Sequence, residues 1–200
     1  MARKKRDTSK KRQSIIDAAN EAFQADGYDN TSMDRIAEVA GASKRTVYNH
    51  FTSKEVLFEA VIEESMAAAM ALKAIPYDPE ESLETQLKAF ARAKTSLLQD
   101  PAWMGLMKVG LGVFVRDPEL ARRTMAQAGE GEDHLARWLE GAAADGRMAV
   151  ADPPLAAQVF WAMTSGAIFW PQAFAGPMDP EVVDRLVGEC IRVFLAGYSA

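Results

Sequence analysis

The stretch from Thr31 to Phe58, TSMDRIAEVAGASKRTVYNHFTSKEVLF, decides the fold. Thr31 or Ser32 can cap a first helix, and Thr31 with Asp34 has the spacing of a capping box. Ile36, Val39 and Ala40 then fall three and four apart, so they share one apolar face. Gly41 supplies a residue able to turn left-handed and end that helix. Ser43 can cap the next helix two residues later. Two short helices joined by a turn containing Gly form a helix-turn-helix. In the second helix Val47 and Phe51, four apart, point inward. Lys44, Arg45, Thr46, Tyr48, Asn49 and His50 are left outside. No carboxylate lies between Lys44 and Lys54. Such a row of donors suits phosphates and base edges.

Working outward, the block Ala22–Val61 resembles the N-terminal DNA-binding domain of TetR-family transcriptional regulators. Phe23 with Gly27-Tyr28, Ile36-Ala37 with Ala40-Gly41, Tyr48-Asn49-His50-Phe51 and Lys54-Glu55 carry the resemblance together. The rest of the chain is similar to that family in length and helical texture. The resemblance implies a ligand-responsive regulator, a repressor that binds a palindromic DNA operator as a homodimer and is released by a small, largely apolar effector. A DNA-binding protein without a ligand, or a redox sensor built on Cys190, are the alternatives.

A length of 200 residues allows one large or two small domains, and the absence of strand signals makes the chain all-α. Apolar residues make up 48% of the 200, enough for a core. No apolar run is long enough to span a bilayer, and no apolar stretch of signal-peptide type follows the basic N-terminus. Cys190 is the single cysteine. No intrachain disulfide can form, which fits a cytoplasmic protein. Residues 1–54 hold 11 Lys/Arg against 7 Asp/Glu, a net +4; residues 55–200 hold 12 against 21, a net −9. The positive surplus travels with the helix-turn-helix, as phosphate binding requires.

Three segments follow from this reading: a basic, mobile arm over 1–12, the DNA-binding domain over 13–62, and a helical ligand-binding and dimerisation domain over 63–200. The first helix is expected from about residue 11 to 26, with Ile15, Ile16, Ala19 and Phe23 inward and Tyr28 folded onto Phe23 past Gly27. A fourth helix, from Ser53 to about residue 74, buries Leu57, Phe58, Val61 and Ile62 in the small domain and offers Met66 and Met70 to the larger one. Asp-Pro pairs at 78–79, 100–101, 117–118, 152–153 and 179–180 mark five further helix starts, since Asp caps well and Pro is tolerated at the first position. Nine helices result, three plus six. Gly105, Gly110 and Gly112 interrupt the helix near 101–115. Gly129 and Gly131 kink or break one running over 118–144.

The candidate sites are of three kinds. The DNA-facing set is Thr31, Ser43, Lys44, Arg45, Thr46, Tyr48, Asn49, His50 and Lys54. Arg45 can bond guanine O6 and N7 together, and Asn49 can read adenine. By resemblance Thr31, Tyr48, His50 and Lys54 contact phosphates. Trp103, Met104, Met107, Phe114, Met125, Trp138, Phe160, Met163 and Trp170 either line an apolar effector cavity or fill cores. Leu155, Val159, Ala162 and Gly166 on one late helix, with Leu186, Cys190, Val193 and Phe194 on the last, form the expected dimer face. The two histidines, His50 and His134, and the lone cysteine make no catalytic or metal-ligating cluster. The reading therefore includes no enzyme activity, no cofactor and no membrane.

Overall fold

The computed structural model describes residues 2–70, 75–128 and 134–200. Ten helices run through them: α1 (Ala2–Asp26), α2 (Met33–Val39), α3 (Lys44–His50), α4 (Lys54–Met70), α5 (Leu83–Leu98), α6 (Pro101–Arg116), α7 (Pro118–Ala128), α8 (His134–Ala144), α9 (Pro153–Ala175) and α10 (Pro180–Gly197). Among the described residues there is no strand, only an isolated bridge between Met148 and Ser199. The chain is all-α, as expected. The count is ten and not nine because α7 and α8 are described on either side of residues 129–133; the expected kink or break at Gly129 and Gly131 lies outside the described residues.

Two boundaries differ from the sequence reading. The first helix begins at Ala2, not near residue 11. The basic stretch holds no Pro or Gly, and Lys, Arg and Gln are good helix formers, so nothing stops the helix from continuing backwards. Asp78-Pro79 does not start a helix. Ser82 does, its hydroxyl accepting the Thr85 N–H, and α5 opens at Leu83. Asp78 is engaged otherwise: its N–H and C=O both bond the buried Gln86 side chain. The other four Pro residues stand first in α6, α7, α9 and α10 as read.

Packing divides the chain into two compact units, Met1–Ala68 with Gly105–Glu130, and Ala69–Met104 with Gly131–Ala200. The sequence alone suggests segments 1–12, 13–62 and 63–200. By packing, the C-terminal part of α6 and all of α7 instead belong with the helix-turn-helix. The chain passes from one unit to the other inside α4, inside α6 and between residues 130 and 131, the last outside the described residues.

The first unit is built on Phe23, Phe58 and Tyr28. Their ring centroids lie 4.9–5.5 Å apart, and Phe114 adds an edge contact to Phe58 at 6.2 Å. Gly27, at φ +77°, ends α1 and lets Tyr28 fold back on Phe23. Ile15, Ile16, Ala19, Leu57, Phe58, Val61 and Ile62 are buried there, as their spacing indicates. Met66 packs on this same core; the Met70 side chain lies outside the described residues. Two of the α6 glycines serve close packing. A Cβ on Gly105 would stand 2.9 Å from Gln24 Oε1, and one on Gly110 would stand 3.3 Å from Ile62 Cδ1.

The second unit gathers α5, α8, α9 and α10 around Phe90, Trp138, Phe160 and Phe194. Two buried amide side chains tie its interior together. Gln86 Oε1 accepts from Trp138 Nε1 at 2.8 Å, and Gln172 Nε2 donates to the Leu98 carbonyl at 3.2 Å. Arg147 ties the 77–81 loop by donating to the carbonyls of Pro79 and Glu81.

Candidate nucleic-acid interface

The α2–turn–α3 segment forms by local capping. Ser32, not Thr31, caps α2 by accepting the Arg35 N–H at 3.1 Å. Gly41 takes φ +54° in the turn. Ser43 caps α3, accepting the Thr46 N–H at 3.1 Å and pairing with its hydroxyl at 2.8 Å. Val47 and Phe51 go into the core with almost no exposure. Opposite Val47, two stripes of α3 face outward: Arg45 with Asn49, and Lys44 with Tyr48, each pair four apart and all four exposed. Thr46 and His50 lie half-buried on the flank.

The charges on this face are not equivalent. Lys44 Nζ reaches the Asp34 carboxylate of α2 at 2.7 Å. That hydrogen bond, then the Asp34 charge, raises the Lys44 pKa. Arg45 forms no ion pair with any described residue, so its fork is available to a base or phosphate. Sequence spacing gave no sign of Asp34, because ten residues separate the pair and only the fold joins them. Arg12, from the basic stretch, also ends at this unit, its guanidinium 5.1 Å from the Phe51 ring centroid.

Two side chains expected at phosphates are engaged within the protein. Thr31 is 2% exposed, and its hydroxyl donates to the Gly27 carbonyl at 2.7 Å. Its side chain is part of the α1–α2 connection. Lys54 Nζ donates to the carbonyls of Tyr28 at 2.7 Å, Thr31 at 3.0 Å and Asp29 at 3.4 Å. All three ammonium protons are thus engaged on one loop, and the residue acts as a clasp. Tyr28 in turn donates to Glu55 at 3.3 Å. Burial first, then the Glu55 charge, pushes its hydroxyl pKa well above the usual tyrosine range.

The expected effector lining is divided between the two units. Trp138 and Phe160 are fully buried and fill the second core, with Met104 beside them. Met107 and Phe114 pack on the first core instead. Met125 and Trp170 are exposed at 44% and 48%. Trp103 and Met163 are half-buried in the second unit. A recess of about 250 Å³ does occur in the first unit, but Tyr28, Glu55, Val113, Arg116, Asp117 and Leu120 are among its lining, and none of the expected residues is.

The expected dimer face is largely open. Leu155, Val159, Ala162 and Val193 are exposed, and Gly166 and Leu186 half-exposed. Phe194 is the exception: it is 2% exposed and stacks edge-on with Phe160 in its own core. Cys190 is partly buried, its thiol donating to the Met163 carbonyl at 3.5 Å, and burial raises its pKa. A raised thiol pKa lowers reactivity, which weighs against redox sensing. Trp170 and Phe174, at 48% and 79% exposure, continue the α9 stripe with stacked rings. No helix among the described residues is long and apolar enough to cross a membrane.

Known proteins share this arrangement. Residues 15–61 match the family described as bacterial regulatory proteins, tetR family. Residues 85–200 match the C-terminal domain of AefR-like transcriptional repressors. A TetR-family regulator from Pseudomonas syringae pv. tomato is 34% identical, with a TM-score of 0.78 over 94% of this chain and 96% of that one. The transcriptional regulator RutR of Escherichia coli K12 is 29% identical over 86% of this chain and 81% of its own length. The flavonoid-responsive regulator FrrA is 26% identical, with a TM-score of 0.74 over 96% of this chain and 98% of that one. The exposed donors of α3, the capped turn before it and these matches at both ends lead to one conclusion: the chain belongs to the TetR family of DNA-binding transcriptional regulators.

Proposed function

We propose that two copies of this chain bind an inverted-repeat operator in the cytoplasm and repress transcription there, and that a small, largely apolar effector releases them. The observation that carries the DNA reading is the outer face of α3. Arg45 and Asn49 stand furthest from the buried Val47 and are the base-reading pair; Lys44 and Tyr48 hold phosphates beside them. Two such helices would fit successive major grooves about 34–36 Å apart.

The apolar stripe of α9 supports the dimer. Leu155, Val159, Ala162, Gly166, Trp170 and Phe174 recur at steps of three and four. Bulky residues stand at both ends and small ones in the middle. A Cβ on Gly166 would meet nothing in its own subunit within 4 Å. The absence of a side chain there serves a neighbour, and a second copy crossing at Ala162 and Gly166 is that neighbour. An exposed apolar stripe of this extent is the usual mark of an interface. The effector reading draws on the likeness to FrrA, whose name states a response to flavonoids. Transmission would run along α4 and α6, the two helices that belong to both units.

Binding of duplex variants by wild type and Arg45→Ala tests the DNA reading. Loss of discrimination at one or two positions supports it. An equal loss on every variant contradicts it.

A further inference from the structure

Phe51 closes α3, its N–H donating to the Val47 carbonyl at 2.9 Å, and its ring carries a cation from another helix. Arg12 of α1 stands 5.1 Å from that ring centroid, is exposed, and forms no ion pair with any described residue. A guanidinium held on an aromatic face keeps its N–H fork free for an anion. At 1.5 Å per residue α3 is about 10 Å long, and the major groove is about 12 Å wide. A cation at the end of so short a helix comes within reach of the phosphates beside the groove.

The other side of Arg12 meets carboxylates. Its neighbour Gln13 donates to Glu64 of α4, so this turn of α1 lies against residues 63 and 64. Glu63 is half-buried, and Glu59 stands one turn before it on the same face of α4 with its side chain 18% exposed. Burial, then the Glu59 charge, pushes the Glu63 pKa up, and the Arg12 charge opposes both. Glu59 has a counter-ion of its own. Arg123 of α7 donates to one of its oxygens from Nη2 at 2.9 Å and from Nε at 3.2 Å, with Glu119 a more distant partner at 3.9 Å. Arg123, Glu59, Glu63 and Arg12 thus form a line of charge that crosses α4 from α7 to the end of α3, all within the first unit.

We propose that Arg12 is a phosphate ligand in the DNA complex, that Glu59 and Glu63 compete with DNA for it, and that Arg123 weakens this competition. The proposal rests on the DNA reading above and adds to it a contact from α1 and a control from α7. An uncompensated Glu59 strengthens the negative field that holds the guanidinium on α4, and a neutral side chain at position 63 weakens it.

Single and paired variants are titrated with a duplex selected by the protein and with random duplexes, at several salt concentrations and with thermal melts alongside. Arg12→Met should lower affinity about fivefold on every duplex and reduce the salt slope by about one. Glu63→Gln should raise affinity about two- to fivefold, and Arg123→Met should lower it by a similar factor. Both effects should vanish in the Arg12→Met background, because residues that act through one another do not add. Glu59→Gln should restore the affinity of Arg123→Met, whatever the melting temperature of the pair. A salt slope untouched by Arg12→Met, or effects of Glu63→Gln and Arg123→Met that persist without Arg12, overturns the proposal and leaves the α3 reading standing. A wild-type protein that binds no duplex overturns both.

Discussion

The Lys54 ammonium lies 4.3 Å from the centroid of the Tyr28 ring and donates to the carbonyl of that same residue at 2.7 Å. One side chain thus holds the α1–α2 loop, on which α2 and then α3 depend for their placement. Lys54→Met should lower stability by about 1–3 kcal/mol, the range for a hydrogen bond to a charged group and its unpaired remainder. DNA affinity should fall on all duplexes with no change in salt slope. A phosphate contact would instead reduce that slope by about one unit. Denaturant melts with a salt titration of binding distinguish the two.

Lys54 also shows where the sequence stops being legible. The capping signals at Ser32, Ser43, Asp152 and Asp179 are local, and the helices they start were readable to within a residue or two. A lysine at a helix start reads as a phosphate ligand because nothing nearby in sequence shows that three carbonyls from another loop converge on it. Thr31 misleads in the same way, and so does Phe194, whose helical stripe fits either a dimer seam or its own core. Trp138 and Phe160 illustrate the further ambiguity that aromatic residues line cavities and fill cores with the same pattern.

Asp34→Asn should tighten DNA binding. The substitution frees Lys44 from its 2.7 Å ion pair and removes a negative charge from the DNA-facing side. Because phosphate attraction carries no sequence information, affinity should rise similarly on cognate and random duplexes, and the salt slope should steepen by about one. Anisotropy titrations at several salt concentrations check this. Unchanged affinity would mean that Lys44 does not meet a phosphate.

The glycines separate into two kinds with opposite responses to Ala. A Cβ on Gly141 would stand 3.0–3.2 Å from Tyr77 side-chain atoms. Overpacking of this sort costs about 1–3 kcal/mol, and Gly141→Ala should lower the melting temperature. A Cβ on Gly112 would meet nothing within 4 Å, so Gly112→Ala inside α6 should gain about 0.8–1 kcal/mol from helix propensity. Thermal melts of the two variants read both signs.

Substitutions on α9 and α10 should divide between dissociation and unfolding. Gly166→Leu places bulk at the proposed crossing and should yield a folded monomer by analytical ultracentrifugation. Phe194→Ala should leave association intact in whatever fraction folds while costing about 3–5 kcal/mol of stability, the range for truncating a buried Phe. A Gly166→Leu protein that remains dimeric would move the seam elsewhere.

The reading as a whole is tested most directly by half-site spacing. Duplexes selected from a random pool by the purified protein supply the cognate half-site, which is then presented as an inverted repeat with centre-to-centre separations stepped one base pair at a time. Affinity should peak where the half-sites lie one helical turn, or a multiple of it, apart, with two subunits bound and a strong dependence on salt. Affinity indifferent to both spacing and half-site sequence would contradict the account.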